Sequence, residues 1–232
     1  MTKIVVCGDS WQTRDLRAPG KHYSEILENK YGYEVISLGR AGMSTIGICF
    51  QLQEAVNMKP AAIVCSPSGS NRIEIATSKY NITDGLRNIR YTDKMSASCE
   101  SNQVGGTTAP IVSDVFNVLL EDTDWTILST TDNKYNLSAE QREAVKQYFM
   151  HLFDPDFKVH IDSWAYEYWI LYAQKFGIGI VQGNEFSSNI LAEIYATVGM
   201  LPHEWVFHTD FKTQERFADA LYQQLLKKNI LP

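Results

Sequence analysis

A serine near the start of the chain stands where a buried strand is expected to end. The apolar run 3–7 (KIVVC) stops at Gly8, Asp9 and Ser10. Ligands of an open parallel sheet bind outside the carboxyl ends of its strands, and a serine hydroxyl placed there can act as the nucleophile of acyl transfer. The alternative is an ordinary turn capped by Ser10. For Asp9 we expect a bracing role, accepting hydrogen bonds from backbone N–H groups of the loop.

Two further strand ends carry groups that can donate hydrogen bonds. Residues 38–44 (LGRAGMS) follow a second strand-like run, and residues 66–71 (SPSGSN) follow a third. Gly42 exposes its backbone N–H because it has no Cβ, and the side-chain amide of Asn71 is also a donor. Together with the N–H of Ser10 they would form an oxyanion hole. Glycine and asparagine are also common turn residues, so each has a purely structural alternative.

A nucleophilic serine needs a base, and histidine is the usual one. The chain has five histidines: His22, His151, His160, His203 and His208. His208 follows a short apolar run and precedes the last predicted helix, in a loop from which it could reach Ser10. We therefore take His208 as the base and His203 as the second candidate. His151 and His160 fall on predicted helices, where surface positions are expected.

The elements that must position these residues follow from the periodicity of the sequence. Within the first 66 residues, strands are predicted at 3–7, 34–38 and 61–65, with helices around 23–31 and from Ser44 onward. This β-α-β-α-β order favours a parallel, doubly wound sheet. The later predictions are a strand at 125–129, a helix opened by a capping box at Ser138, a helix over 157–176, a strand at 178–181 and a final helix from Thr213. The row of Trp164, Tyr168, Leu171 and Tyr172 follows helical spacing, so we expect it to pack against the sheet rather than to form a platform for the substrate.

The fragments resemble, in order, the sequence blocks of the SGNH (GDSL-type) hydrolases. Gly8-Asp9-Ser10 resembles the nucleophile block, 40–44 (RAGMS) the glycine block, 69–71 (GSN) the asparagine block, and His208 the histidine that precedes a terminal helix. The resemblance spans nearly the whole chain. It implies a three-layer α/β/α sandwich with a mostly parallel, flavodoxin-like central sheet, and the roles given above for Ser10, Gly42, Asn71 and His208.

Two positions depart from the family pattern. Arg72 follows Asn71 where the family usually has aspartate, and Trp205 stands three residues before His208 where the family usually has the acid that orients the histidine. Glu204 is the nearest substitute for that acid, and Asp210 is another. A backbone carbonyl could also accept the hydrogen bond from the imidazole, which would leave a Ser–His dyad.

The resemblance implies a serine hydrolase that cleaves esters or other O-acyl bonds, deacetylation included, without a metal or an organic cofactor. The same residues could transfer the acyl group to another acceptor. The departures at Arg72 and Trp205 also leave open a binding protein that kept the fold and lost activity. A nucleotide-binding domain is disfavoured, because the sequence has neither GxGxxG after the first strand nor GxxxxGK[ST].

Composition is typical of a globular α/β protein of one domain. The chain has 232 residues, 44% of them hydrophobic, and a net charge of −6, which argues against a broad nucleic-acid or membrane surface. We expect a single domain over 1–232 with a polar loop around 91–110, an acylated small molecule as substrate, and no zinc site. The four cysteines have no CxxC spacing and no secretory signal is evident, so we expect reduced thiols and a cytoplasmic location. The sequence leaves the oligomeric state open.

Overall fold

The computed structural model describes residues 1–14, 18–39, 43–69, 72–76, 125–129, 139–198 and 209–232. Its strands are β1 (Lys3–Cys7), β2 (Glu34–Ser37), β3 (Ala62–Cys65), β4 (Arg72–Ala76), β5 (Trp125–Ser129) and β6 (Gly179–Gln182). Its helices are α1 (Tyr23–Tyr31), α2 (Thr45–Asn57), α3 (Ala139–His151), α4 (Pro155–Lys175), α5 (Gly183–Val198) and α6 (Phe211–Lys227). The predicted loop around 91–110 lies outside the described residues.

Four strands form a parallel sheet in the order β2-β1-β3-β6. The register pairs Cys7 with Cys65 and Cys65 with Gln182, so β1, β3 and β6 end at one edge. The order 2-1-3 along the sheet is that of the flavodoxin-like doubly wound fold, as predicted. The strand predicted at 125–129 is also present, but β5 pairs with β4 in a separate antiparallel ribbon.

Helices cover both faces of the parallel sheet. On one face, Ile4, Val6 and Val64 join a buried cluster with apolar residues of α1, α5 and α6. Because successive side chains of a strand point to opposite faces, Val5 and Ile63 face the other side, where α2 and α4 pack together. The prediction of a three-layer α/β/α arrangement is therefore confirmed.

Local sequence signals explain where the helices begin and end. The Ser44 side chain accepts a hydrogen bond from the Gly47 N–H and opens α2, as expected for an N-cap. Gly32 ends α1 with a left-handed backbone of φ +75°, which glycine adopts without steric cost. The last helix begins at Phe211 rather than Thr213, because Asp210 is its N-cap.

The prediction for the aromatic row of α4 was wrong. Trp164 and Tyr168 are 65% and 57% exposed. The residues of α4 that are buried are Asp162, Tyr166, Ile170 and Ala173. This row follows the same helical spacing two positions earlier on α4. Its charged member, Asp162, pairs with Lys158 one turn before it. None of the helices in the described parts of the chain has the length and apolar character that crossing a membrane requires.

Candidate active site

The loop that carries Ser10 begins with a glycine that the local packing requires. Gly8 has φ +157°, and a Cβ at this position would lie 2.3 Å from Oε1 of Gln12. Gln12 is itself buried, so it has little room to move aside. The backbone of Gly8 is also held from α2: its N–H donates to Oε1 of Gln51 (2.6 Å), and Nε2 of Gln51 donates to its carbonyl (3.1 Å).

Ser10 begins a single turn of 3-10 helix, Ser10–Gln12, and is half-buried. Asp9 caps this turn: its Oδ1 accepts from the N–H of Trp11 (3.2 Å). The Asp9 carbonyl accepts from the N–H of Gln12 (3.1 Å) and from Oγ1 of Thr13 (2.9 Å). The expected bracing role of Asp9 is confirmed. The turn holds Ser10 between Asp9 and Trp11, which the hydrogen bond to Oδ1 joins.

Gln12 joins the loops that follow the first three strands. Its Nε2 donates to Oγ of Ser66 after β3 (3.1 Å), and its carbonyl accepts from Oγ of Ser37 at the end of β2 (3.0 Å). Gly39 approaches so closely that a Cβ there would lie 2.4 Å from the Gln12 carbonyl oxygen. The predicted convergence of strand ends therefore holds for the described residues. Neither Gln12 nor Gln51 was predicted as a site residue. The signal available for Gln51 was a glutamine within the buried row of α2.

The start of α2 is tied to the loop after β3 as well. Oγ1 of Thr45 donates to the Ser68 carbonyl (3.0 Å) and accepts from the Ser68 N–H (3.2 Å). Met43 is buried against Gly47, where a Cβ would lie 2.3 Å from its Sδ. These contacts fix Met43, which follows Gly42 in the glycine block, and Ser68, which directly precedes the asparagine block.

A chain of hydrogen bonds runs from the Ser10 loop to the start of α6. His22 caps α1: its Nδ1 accepts from the N–H of Ser24, which leaves Nε2 to donate to the Trp11 carbonyl at 3.2 Å. The next residue, Tyr23, donates its N–H to Oε1 of Gln214 on α6 (2.8 Å). Nε2 of Gln214 donates in turn to Oγ1 of Thr209 (2.5 Å). The residue after Ser10 and the residue after His208 are thus connected through buried groups.

A cavity of about 330 Å³ lies beside the Ser10 loop, between the strand ends and helices α5 and α6. Asp9, Trp11 and Gln12 line it on the Ser10 side. Its apolar lining includes Phe186, Leu191 and Phe217 together with the ring of Tyr23. Within the described residues, the Tyr23 hydroxyl and Oε1 of Gln12 have no hydrogen-bond partner. The cavity thus has several apolar lining residues and lies against the residues on both sides of the candidate nucleophile, Asp9 and Trp11.

Among the described residues, the two cysteines at the ends of β1 and β3 do not compete with Ser10 as nucleophiles. Cys7 and Cys65, at the ends of β1 and β3, are free and buried. Burial raises the pKa of the Cys7 thiol well above its usual value, and it raises the pKa of Cys65 to about 12. Neither is a thiolate near neutral pH, and the thiolate is the reactive form. In the parts of the chain that are described, no group of three His, Cys, Asp or Glu residues is placed to hold a metal ion.

The remaining predicted site residues fall outside the described residues. They are Gly42, Asn71, Glu204 and His208, with the reserve base His203 and the departing residue Trp205. Asp210 is described, and its Oδ1 accepts from the N–H of Thr213 (2.8 Å). That carboxylate therefore serves the N-terminus of α6.

Several solved structures resemble the fold, among them lipolytic proteins of the G-D-S-L family and esterases. A G-D-S-L lipolytic protein from Veillonella parvula DSM 2008 is 12% identical, with 98% of this chain and 100% of that chain covered and a TM-score of 0.39. One from Desulfitobacterium hafniense DCB-2 is also 12% identical, with 96% and 99% covered and a TM-score of 0.39. The psychrotrophic esterase EstA from Pseudoalteromonas sp. is 11% identical, with 99% of each chain covered and a TM-score of 0.42. No protein-family model and no curated protein sequence matches the chain.

Proposed function

We propose that this protein is a serine hydrolase of the SGNH type that cleaves carboxylic esters or other O-acyl bonds. Ser10 is the nucleophile and His208 the base. The observation that supports this best is the hydrogen-bond chain from Trp11 to Thr209. It ties the chain next to Ser10 to the chain next to His208, although the two are about 200 residues apart.

In the proposed reaction, Oγ of Ser10 attacks the carbonyl carbon while His208 takes its proton. The oxyanion accepts hydrogen bonds from the N–H groups of Ser10 and Gly42 and from the Asn71 amide. The C–O bond then breaks, and the imidazolium gives its proton to the departing alkoxide. Water attacks the acyl-enzyme with His208 again as base, which releases the acid and restores Ser10.

The cavity beside the Ser10 loop suits the acyl group. Phe186, Leu191 and Phe217 provide apolar contact for its carbon chain. The volume of about 330 Å³ lies at the lower end of the range of small-molecule sites, which favours short acyl chains.

Glu204 is the proposed orienting acid, since Asp210 already accepts a backbone hydrogen bond at the start of α6. A Ser–His dyad, with a backbone carbonyl in place of the acid, is the alternative. The rest of the proposal is one domain over 1–232, an acylated small molecule as substrate, and a cytoplasmic location, with which the buried free thiols agree.

Two other functions use the same residues differently. Acyl transfer would replace water by another acceptor at the second step. A binding protein without activity is favoured only by Trp205 and Arg72, which stand where the family has aspartate.

Hydrolysis of an aryl acetate tests the proposal. We expect Ser10→Ala and His208→Ala each to lower kcat/KM by about 10³-fold or more, because members of one catalytic unit act together. Ser188→Ala and His160→Ala are matched controls at exposed positions and should leave the rate unchanged. A folded wild-type protein with no activity above these two catalytic variants would favour the binding protein.

A further inference from the structure

A second cavity, larger than the first, lies on the other face of the sheet. Its volume is about 520 Å³. It opens between α4, the start of α2 and the ends of β3 and β6. The residues used below are Ser68, Asp162, Glu167, Ile170 and Leu171, all of which line it. The two cavities share Pro67 and Ser68, so they adjoin at the edge of the sheet where Ser10 lies.

Asp162 is a buried carboxylate with one oxygen unused. The residue is 4% exposed, and its Oδ1 pairs with Nζ of Lys158 one helical turn earlier. Its Oδ2 has no hydrogen-bond partner among the described residues. A buried acceptor of this kind is costly unless something donates to it. Burial also raises the pKa of Asp162 against the opposing effect of Lys158.

A second lining residue also has a buried polar atom without a hydrogen-bond partner among the described residues. Oγ of Ser68 is buried and lacks a partner within the described part of the chain. Tyr166 also lines the cavity. Its buried hydroxyl lies beside the Cys65 thiol and has no hydrogen-bond partner of good geometry among the described residues. Three lining residues of one cavity therefore carry buried polar atoms that lack a partner among the described residues, whereas natural proteins leave few buried polar atoms unsatisfied.

The charges and the apolar residues of the lining restrict the chemical class of ligand that this cavity could bind. Lys158 balances Asp162, so the pair does not call for a cationic ligand. Glu167 at the exposed side repels an anion. Ile170 and Leu171 offer a carbon surface, while the polar atoms need O–H donors that can also accept. A neutral molecule with several hydroxyl groups around a carbon ring or chain meets all these conditions.

We propose that this cavity is a binding site for a neutral polyhydroxylated small molecule, such as a sugar or a cyclic polyol, one hydroxyl of which donates to Oδ2 of Asp162. The volume lies within the range of small-molecule sites. The proposal does not depend on hydrolysis by Ser10, since the residues that carry it lie on α4 and on the loop after β3.

Binding is tested on the full-length Ser10→Ala protein, which prevents turnover. The probes are methyl glucoside, cellobiose and myo-inositol, followed by saturation-transfer NMR and calorimetric titration. Cyclohexanol, glucosamine and glucuronate are the comparison compounds, which lack the hydroxyl groups or carry a charge. We expect saturable binding of at least one neutral polyol, and at least about tenfold weaker binding of the comparison compounds.

The variants separate the role of Asp162 in binding from its role in folding. Asp162→Leu alone removes the carboxylate that pairs with the half-buried Lys158, so the decisive variant is Lys158→Met with Asp162→Leu. This double variant removes both charges and should fold as well as the parent, or better. It should bind the polyol at least about tenfold more weakly, whereas Asp156→Asn, an exposed change on the same helix, should bind normally.

Each other outcome overturns the proposal. It fails if no neutral polyol binds, if cyclohexanol or glucosamine binds as tightly, or if the folded double variant keeps its affinity. Hydrolysis of the aryl acetate by the Ser10-containing protein is measured separately, so loss of this proposal leaves the proposed hydrolase function standing, and the reverse also holds.

Discussion

The position of Ser10 depends on how the residues around it pack. Because Gly8 has no Cβ, the side chain of Gln12 can pack against it. The Gln51 side chain forms hydrogen bonds with both the N–H and the carbonyl of Gly8. The serine, the strand before it and the bracing role of Asp9 were all predictable, because they follow from residue types within one short segment. The roles of Gln12 and Gln51 were not, since their partners lie 54 and 43 residues away along the chain.

Gly8→Ala should disturb this loop. The new Cβ would meet the buried Gln12 side chain, and we expect the free energy of unfolding to fall by about 1–3 kcal/mol, with loss of most esterase activity. Gly32→Ala is the control, because it also has positive φ but no atom within 4 Å of the new Cβ. It should lower stability by about 1 kcal/mol and leave activity unchanged. Chemical denaturation and an aryl acetate assay measure both quantities, and equal activity losses in the two variants would contradict the account.

Gln51→Leu tests the clamp on Gly8. The substitution leaves a buried N–H and a buried carbonyl without their partners, which costs about 1–3 kcal/mol for each buried group. We expect a lower free energy of unfolding and a lower kcat, since Gly8 precedes the nucleophile by two residues. Gln53→Leu, at an exposed position of the same helix, should change neither. Unchanged kcat in a folded Gln51→Leu protein would show that the clamp does not position Ser10.

At the scale of elements, periodicity and caps predicted most helices and strands of the described chain. They failed on the orientation of α4, because aromatic residues form one helical row and the buried residues form another. The row that packs against the protein contains Asp162, a charged residue that is buried because it pairs with Lys158. The helical spacing alone does not show that this pair is buried. The pairing of β5 with β4 was likewise not predictable, since a strand pattern does not identify its partner.

The contact between α1 and α6 is expected to position the base. Gln214→Leu removes the hydrogen bonds to Tyr23 and Thr209. We expect kcat for the aryl acetate to fall by about tenfold or more with a much smaller change in KM, because a displaced base slows the chemical step more than binding. Gln223→Leu, on the exposed side of α6, is the matched control. A change confined to KM, or none at all, would contradict the positioning role.

The exposed end of the same interface should respond to pH. Burial alone would raise the pKa of Asp219, but hydrogen bonds from Lys30 and Tyr31 of α1 lower it overall. A lowered carboxyl pKa contributes stability above its ordinary value of about 4, and this contribution is lost as the pH falls through the lowered value. The difference in Tm between wild type and Asp219→Asn should therefore vanish at low pH, and it should also shrink in high salt. A difference that persists or grows in acid would contradict this sign.

At the scale of the whole molecule, the order of strands and helices in the first 66 residues was enough to predict a doubly wound parallel sheet. That topology alone implies that the loops after β1, β2 and β3 lie at one edge. What it could not predict is the long-range packing that closes the site. Tyr23 and Gln214 are 191 residues apart in the chain, and the cavity under α4 exists only because that helix lies across the strand ends.

Labelling by a fluorophosphonate tests the central claim most directly. The full-length protein is treated with the probe and digested, and the modified residue is identified by mass spectrometry beside Ser10→Ala, His208→Ala and the control His160→Ala. The account predicts one adduct, on Ser10, that is absent in Ser10→Ala, much slower to form in His208→Ala and unchanged in His160→Ala. An adduct on another residue, or a folded wild-type protein that does not react, would contradict it.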